Sequence, residues 1–391
     1  MTAPAAAQSG VAQEAAAFVA RTVAPHADDW DRAEAVPPDV LRTLGTAGWL
    51  GAAIGPDYGG RGLDALSLGL VAEQFGRGSV SLLSLLAAHG MACRAIARWG
   101  SPTLRRQWLP EFAAGTAIAA FAVSEPEIGS DAAGVRCTAA RVAGGWRLDG
   151  CKSWISGVQV ANAVVVLART DHGSAAFLVD AKMAGVDVQP IRGMLGFRAA
   201  MLGTIEFADC RVPDDCLLAR VGFGFSHVIG DALDLGRFCI AWGASGLLAA
   251  VVDATVTRAQ EREQFGAALI KHQLIQRMIA DMVTDRSAAR LLCEAAAEAR
   301  QARTPSALMA TNTAKYFASR AVVRAASDAV QIHGAAGLGP DLPVQRYYRD
   351  AKAFELIEGS NEIQQMLIAR DAQSHIARET RKIILSGEGV V

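Results

Sequence analysis

One carboxylate in this chain sits where it could abstract a proton. Near the C-terminus the sequence reads Arg349-Asp350-Ala351-Lys352 and then Ile357-Glu358-Gly359-Ser360-Asn361-Glu362-Ile363-Gln364. A helical pattern runs up to this point and a second begins after it, with Glu358 directly before the Gly-Ser break. Glycine lets the backbone leave helical geometry without steric cost. A carboxylate there either stays solvated, as most glutamates near helix ends do, or projects into a cleft as a general base.

Four other stretches carry polar groups at telling spacings. Phe121-Ala122-Val123-Ser124-Glu125-Pro126, ending in Ile128-Gly129-Ser130-Asp131, places small and hydroxyl residues near glycine. It is either a turn into a first strand or a set of amides and hydroxyls for a planar ring or a phosphate. Lys152-Ser153-Trp154-Ile155-Ser156-Gly157 is either core packing with a turn or an indole shielding one face of a ring, with Ser156 as donor. Arg262-Glu263-Gln264-Phe265-Gly266, followed by His272-Gln273, ends a long helix. An arginine there complements the helix dipole or grips a phosphate in bidentate fashion. Gln331-Ile332-His333-Gly334-Ala335-Ala336-Gly337 reads as a glycine-rich helix end, and His333, with no partner motif, as structural.

The elements that must hold these residues fall into three blocks. Residues 11–116 are helical in pattern and rich in Ala and Leu, with helix starts at Pro37-Pro38-Asp39 and Ser101-Pro102-Thr103. A loop from Gly55 to Gly62 interrupts them. From Phe121 to about Leu218 the texture is β-rich, with runs such as Ala163-Val164-Val165-Val166-Leu167 and Ala176-Phe177-Leu178-Val179. Gly144-Gly145 and Asp149-Gly150 bracket a strand at Trp146-Arg147-Leu148. No helix-length segment intervenes, so the strands are expected to be antiparallel, in a barrel or sandwich, and not a parallel sheet. After Gly222 long helices return. Leu248, Val251, Val252 and Thr255 form one stripe at helical spacing, and Asp234-Leu235-Gly236-Arg237 is read as preceding that long helix.

Bulk properties narrow the function classes. With 391 residues, 51% of them hydrophobic, the chain is long enough for two or three cored domains. Its 38 basic and 39 acidic side chains give no footprint for nucleic acid or an anionic membrane. Cys93, Cys137, Cys151, Cys210, Cys216, Cys239 and Cys293 are scattered, without C-x-x-C or zinc spacing. They read as reduced, mostly buried thiols of a cytoplasmic protein, and no metal site is expected. Residues 82–97 are apolar but carry His89, Gly90 and Arg94, against a membrane span. The absence of a strand-G-x-G-x-x-G-helix unit excludes a Rossmann dinucleotide site.

Taken together, and in this order along the chain, these segments closely resemble the flavin-dependent acyl-CoA dehydrogenases. The resemblance implies an α+β fold in three domains: an N-terminal helical domain (residues 1–118), a middle antiparallel β domain (119–221) and a C-terminal four-helix bundle (222–391). It implies FAD as cofactor, with Val123 and Ser124 at the flavin ring and Ser130 at its phosphates. Trp154 and Ser156 match the family's K-x-W-I-[ST] signature, which covers the ring and bonds its N5. Arg262, Gln264, Phe265 and Gln273 match the segment that reaches the diphosphate of a neighbouring subunit's cofactor. Gln331 and Gly334 match the loop beside the adenine nucleotide across that interface, and Ser360 and Glu362 follow the base in its cofactor-facing turn. A homodimer or homotetramer is therefore implied.

By the same resemblance Glu358 is the catalytic base, while Asp234, Arg237 and Gly359 border the thioester. Some branches carry their base at the position of Gly236, which here has no side chain to offer. The implied reaction is α,β-dehydrogenation of an acyl thioester, with electrons passed on to an electron-transferring flavoprotein or to oxygen. Three departures bear on the substrate. Ala200 and Leu202 stand where many relatives have hydroxyls, and Ile357 replaces an aromatic residue. His89-Gly90-Met91-Ala92 and Ala241-Trp242-Gly243 resemble the branch that oxidises small acyl groups, some hydroxylated, on acyl carrier proteins in polyketide extender-unit biosynthesis.

Overall fold

The computed structural model describes residues 5–386. Six helices open the chain: α1 (Ala5–Phe18), α2 (Ala27–Ala33), α3 (Pro38–Thr46), α4 (Ala65–Gly78), α5 (Val80–Trp99) and α6 (Pro102–Ala114). Their starts follow local chemistry. The Ser101 hydroxyl accepts the Leu104 N–H at 3.2 Å with Pro102 opening α6, and Ser79 caps α5 by accepting from Leu82 at 3.3 Å. Each such cap satisfies a donor that the first turn leaves unpaired.

The middle of the chain forms β1 (Ala119–Ala122), β2 (Thr138–Val142), β3 (Gly145–Ile155), β4 (Ala163–Thr170), β5 (Gly173–Asp180), β6 (Val186–Pro190), β7 (Gly203–Pro213) and β8 (Leu217–Leu218). The sheet runs in the order β6-β7-β3-β2-β4-β5-β8, with β1 paired to β4. Most pairs are antiparallel, but β1 pairs β4 in parallel, Ala119 opposite Ala163, and β2 meets β4 in parallel at Thr138 and Arg169. This corrects the expectation of antiparallel strands throughout. Long connections separate these strands in sequence, so no tight hairpin dictates their direction.

Helices α7 (Gly230–Glu261), α8 (Gln273–Gln301), α9 (Ala307–His333), α10 (Val344–Phe354) and α11 (Asn361–Ser386) complete the fold. Between α7 and α8 a small hairpin pairs β9 (Glu263–Gln264) with β10 (Ala267–Ala268). Helix α7 is the hub, packed by α4, α5, α8, α9 and α10. The predicted stripe of Leu248, Val251, Val252 and Thr255 is buried, but Leu247, Ala249 and Ala250 are buried too, so the helix is enclosed on all sides. Helices α4 and α7 meet backbone to backbone: a Cβ on Gly246 would lie 2.0 Å from the Glu73 carbonyl oxygen. Asp234-Leu235-Gly236-Arg237, expected ahead of the long helix, lies inside its first turns. Helices α5 and α7 are long and apolar enough to cross a membrane, but 78% and 83% of their apolar windows are buried within the protein.

Helix α10 joins all three parts of the chain. Arg346 pairs with Asp28 at 2.7 Å and Arg349 with Asp31 at 2.5 Å, both on α2. The buried Asp350 carboxylate accepts the Phe197 N–H at 2.7 Å, which anchors the loop before β7. Burial pushes the Asp350 carboxyl up to about 6, opposed by the nearby Arg346 guanidinium. The seven cysteines are free, and five of them are buried.

Candidate active site

Helix α10 stops at Phe354, four residues ahead of Glu358, and a turn over residues 355–360 leads into α11. The break therefore does not rest on Gly359 alone. Glu358 itself is left-handed, with φ of 54°, and Gly359 follows at 85°. A glutamate in that region costs about 1–2 kcal/mol, and only surrounding contacts keep it there. Three helices supply them. Arg237 on α7 donates through Nε to the Glu358 carbonyl at 3.1 Å, and Lys315 on α9 donates through Nζ to the Gly359 carbonyl at 2.8 Å. Gln364 on α11 reaches the Gly359 carbonyl at 3.2 Å.

The turn aims the Glu358 carboxylate inward. Its Oε2 atom is buried and has no hydrogen-bond partner among the described residues. A Cβ on Gly236 would sit 2.5 Å from that oxygen and 2.4 Å from the Met91 sulfur, so only glycine leaves room there. Desolvation raises the carboxyl to about 7, against the pull of Arg237 and then Lys315. Asp234 is less free. One oxygen pairs with Arg300 of α8 at 2.5 Å, while Oδ1 is buried without a partner.

The second half of the site comes from the sheet. After β1 the chain makes the Val123–Ser124 loop, and the Ser124 carbonyl accepts the Ser153 N–H at 2.9 Å. Beneath it lies a buried ion pair absent from the sequence reading. Lys152 donates to Glu125 Oε1 at 2.8 Å and to the Val123 carbonyl at 3.0 Å. Glu125 also accepts from the Arg136 and Cys137 amides at 2.8 and 2.9 Å. Burial works against ionisation of both partners; contacts with Lys152 and these amides nonetheless hold Glu125 low, while Lys152 stays below its ordinary range. Next in β3, Trp154 adopts φ of 65° and is 53% exposed, so it is not core packing. The indole is left uncovered beside the Ser124 loop, and Ser130 lies exposed further along.

Helix α5 connects the halves. Ser84 bonds Ser156 hydroxyl to hydroxyl at 2.9 Å, and Met91, two turns along the same face, touches the Glu358 surroundings. Two turns span about 10 Å. His89, between them, is structural: Nδ1 accepts the Ala119 N–H at 3.1 Å, and burial lowers its pKa to about 4.

The remaining predicted residues lie elsewhere. Arg262 caps the far end of α7, separated from Asp234 by about 40 Å of helix at 1.5 Å per residue. Arg262, Gln264 and Gln273 are exposed there, and Phe265, with φ of 54°, is 99% exposed. Gln331 and Gly334 are exposed at the end of α9, where Gly334 takes φ of 64°. His333 is buried with Nδ1 on the Ala329 carbonyl at 2.7 Å, as its structural reading expected. Ser360 and the exposed Glu362 open α11; the Glu362 backbone and the Ser360 hydroxyl hold that carboxyl low.

An unpaired buried carboxylate and, linked to it by α5, an uncovered indole with hydroxyl-bearing loops make up the candidate site. Comparison with known proteins agrees over nearly the whole chain. Models of the acyl-CoA dehydrogenase N-terminal, middle and C-terminal domains match residues 5–116, 120–210 and 222–373. The rat mitochondrial short-chain specific acyl-CoA dehydrogenase is 35% identical over 93% of this chain and 88% of its own. Butyryl-CoA dehydrogenase from Megasphaera elsdenii superimposes with a TM-score of 0.91 at 29% identity, covering 95% of this chain and 100% of its own. FkbI, of the biosynthesis of a methoxymalonyl polyketide extender unit, is 33% identical with a TM-score of 0.86, over 92% and 99% of the two chains. The chain belongs to the acyl-CoA dehydrogenase family. It is an FAD-dependent oxidoreductase of the CH–CH group, acting on acyl thioesters.

Proposed function

We propose that Glu358 is the base that removes the α-proton of a short acyl thioester. The observation that carries this reading is its buried, unpartnered Oε2, with a pKa raised to about 7. A base poised near the working pH combines ionisation with proton affinity. The Glu358 N–H has no hydrogen-bond partner among the described residues. It is free to donate to the thioester oxygen as negative charge develops there, as an oxyanion-hole amide does. Arg237 and Asp234 border the same position from α7. FAD would be held by Val123, Ser124, Ser130, Trp154 and Ser156, and would supply the acceptor for the two electrons that leave the substrate. Loss of the α-proton and of the hydride from the β-carbon leaves an α,β-unsaturated thioester.

Met91 supports the short acyl group. Its sulfur packs over Gly236 beside the carboxylate and narrows the room around that oxygen. Buried Ala200 and Leu202 replace the hydroxyls of many relatives with apolar surface. A second reading, oxidation of a small hydroxyacyl group on an acyl carrier protein, is favoured by the likeness to FkbI.

The two groups of cofactor residues support a shared site. Arg262, Gln264, Phe265, Gln273, Gln331 and Gly334 gather around the far end of α7, with Arg262 about 40 Å of helix away from Asp234. They would serve a neighbouring copy's cofactor in a homodimer or homotetramer. An electron-transferring flavoprotein or oxygen then takes the electrons, in the cytoplasm. The test is anaerobic flavin bleaching with a panel of acyl-CoA esters and the same acyl groups on a carrier protein. Bleaching by short CoA esters supports the first reading, and bleaching by carrier-bound groups alone supports the second. A flavoprotein bleached by neither is not a dehydrogenase of acyl thioesters.

A further inference from the structure

Helix α9 carries a row of buried polar groups: Thr311, Asn312, Lys315 and Ser319 are all fully enclosed. Lys315 is the only cation among these four, and taking an ammonium out of water costs several kcal/mol. Its ammonium makes two hydrogen bonds to the turn that carries Glu358. Nζ donates to the Gly359 carbonyl at 2.8 Å and to Asn361 Oδ1 at 3.2 Å, and Asn361 Oδ1 also accepts from Ser319 at 2.8 Å. Lys315 thus grips the residues on both sides of Ser360, immediately after the left-handed Glu358. A neutral amide would hold the same carbonyl without burying a charge, as Gln364 does at 3.2 Å. The buried charge therefore calls for a function of its own.

We propose that Lys315 is a positioning residue for the base: its ammonium fixes the left-handed turn and supplies the charge that keeps the Glu358 carboxylate ionised. This rests on Glu358 being the base. The groups facing the pair are Asp234, Arg237 and Cys239 on α7, Arg300 on α8, Glu355 in the turn and Glu362 on α11. Of the cations, Arg300 is engaged by Asp234, which leaves Arg237 and Lys315 to act on Glu358. The effect is mutual, since the Glu358 charge supports the Lys315 ammonium, which burial lowers to about 8.

The test is the pH profile of flavin reduction by substrate in the holoenzyme. In Lys315→Gln, which keeps a donor for the Gly359 carbonyl, the basic group is expected to titrate about one pH unit higher, the low end of the effect of removing an opposite charge nearby. Lys315→Arg should restore the parental profile. A purely structural role would lower thermal stability or the rate at every pH and leave the midpoint in place, and that result overturns the proposal. Should the Gln variant fail to fold, the reciprocal measurement decides. Lysine NMR titration of the parental protein and of Glu358→Gln should show the Lys315 midpoint falling when the carboxylate is neutralised, and an unchanged midpoint ends the proposal. Loss of reduction in Glu358→Gln tests the base itself: a variant that still bleached at the parental rate would remove both readings, whereas an inactive one with an unmoved lysine removes only this one.

Discussion

At the scale of single residues, Glu358 combines three properties that seldom coincide: left-handed backbone, a buried free oxygen and a raised pKa. Glu358→Gln is expected to retain flavin and lose about 10²–10⁴-fold in the rate of reduction by substrate, the range of a general base; stopped-flow bleaching measures it. Because the folded pKa is about 7, the rate constant for reduction should rise through neutrality and level off above pH 8. A limb centred near 4.5 would place the base in water. Gly236 is the second informative position. Gly236→Ala forces a methyl against the Met91 sulfur and Glu358 Oε2, at 2.4 and 2.5 Å. Overpacking of that kind costs about 1–3 kcal/mol. The urea midpoint should fall, and activity should fall further because the base is displaced.

At the scale of elements, the Val123–Ser124 loop, proposed to hold the flavin, depends on β3 through one buried pair. Lys152→Met leaves Glu125 charged and unpaired, which costs about 3–5 kcal/mol for a broken buried ion pair. It also removes the donor to the Val123 carbonyl. Purified variant should hold less flavin per chain, read from the ratio of flavin to protein absorbance. Helix α10 makes a different prediction. The Asp350 carboxyl lies at about 6 in the fold against 3.8 as a free group, so the native state binds its proton more tightly. Its stabilising contribution is full below about pH 4 and is lost as pH rises through 6. Relative to Asp350→Asn, the parental fold should therefore lose at most about 3 kcal/mol across that window, at 1.36 kcal/mol per pKa unit. Parallel thermal melts at pH 4 and pH 7 compare the two.

At the scale of the whole molecule, the proposed cofactor residues divide between the two ends of α7. Arg262→Gln should leave the thermal unfolding of flavin-stripped protein within about 0.5 kcal/mol, as for an exposed side chain. It should nonetheless release flavin as the protein is diluted. Mass photometry combined with flavin fluorescence would show whether cofactor and partner subunit leave together. The motifs at Ser124, Trp154, Arg262, Gln331 and Glu358 were legible in the sequence because each is local, a few adjacent residues with one backbone demand. The same holds for the cap at Ser101, for Pro38 opening α3, and for the order of helices, strands and helices. The Lys152–Glu125 clamp was not legible, since its partners stand 27 positions apart and meet only when β3 lies under the Ser124 loop. Lys315 left a faint trace, a charge within the apolar spacing of Ala314, Ala318 and Val322. Its target, 44 positions away, could not be read from that spacing. By itself the sequence determined the family, the order of helices, strands and helices, and the local motifs that nominate the candidate side chains, because helix caps, glycine turns and strand alternation act over a few residues. Only the tertiary structure decided that β1 runs parallel to β4, that Asp234 is engaged by Arg300, and that Glu358 is buried with one oxygen free. Burial and long-range pairing are properties of chain segments brought together, and no single segment contains them.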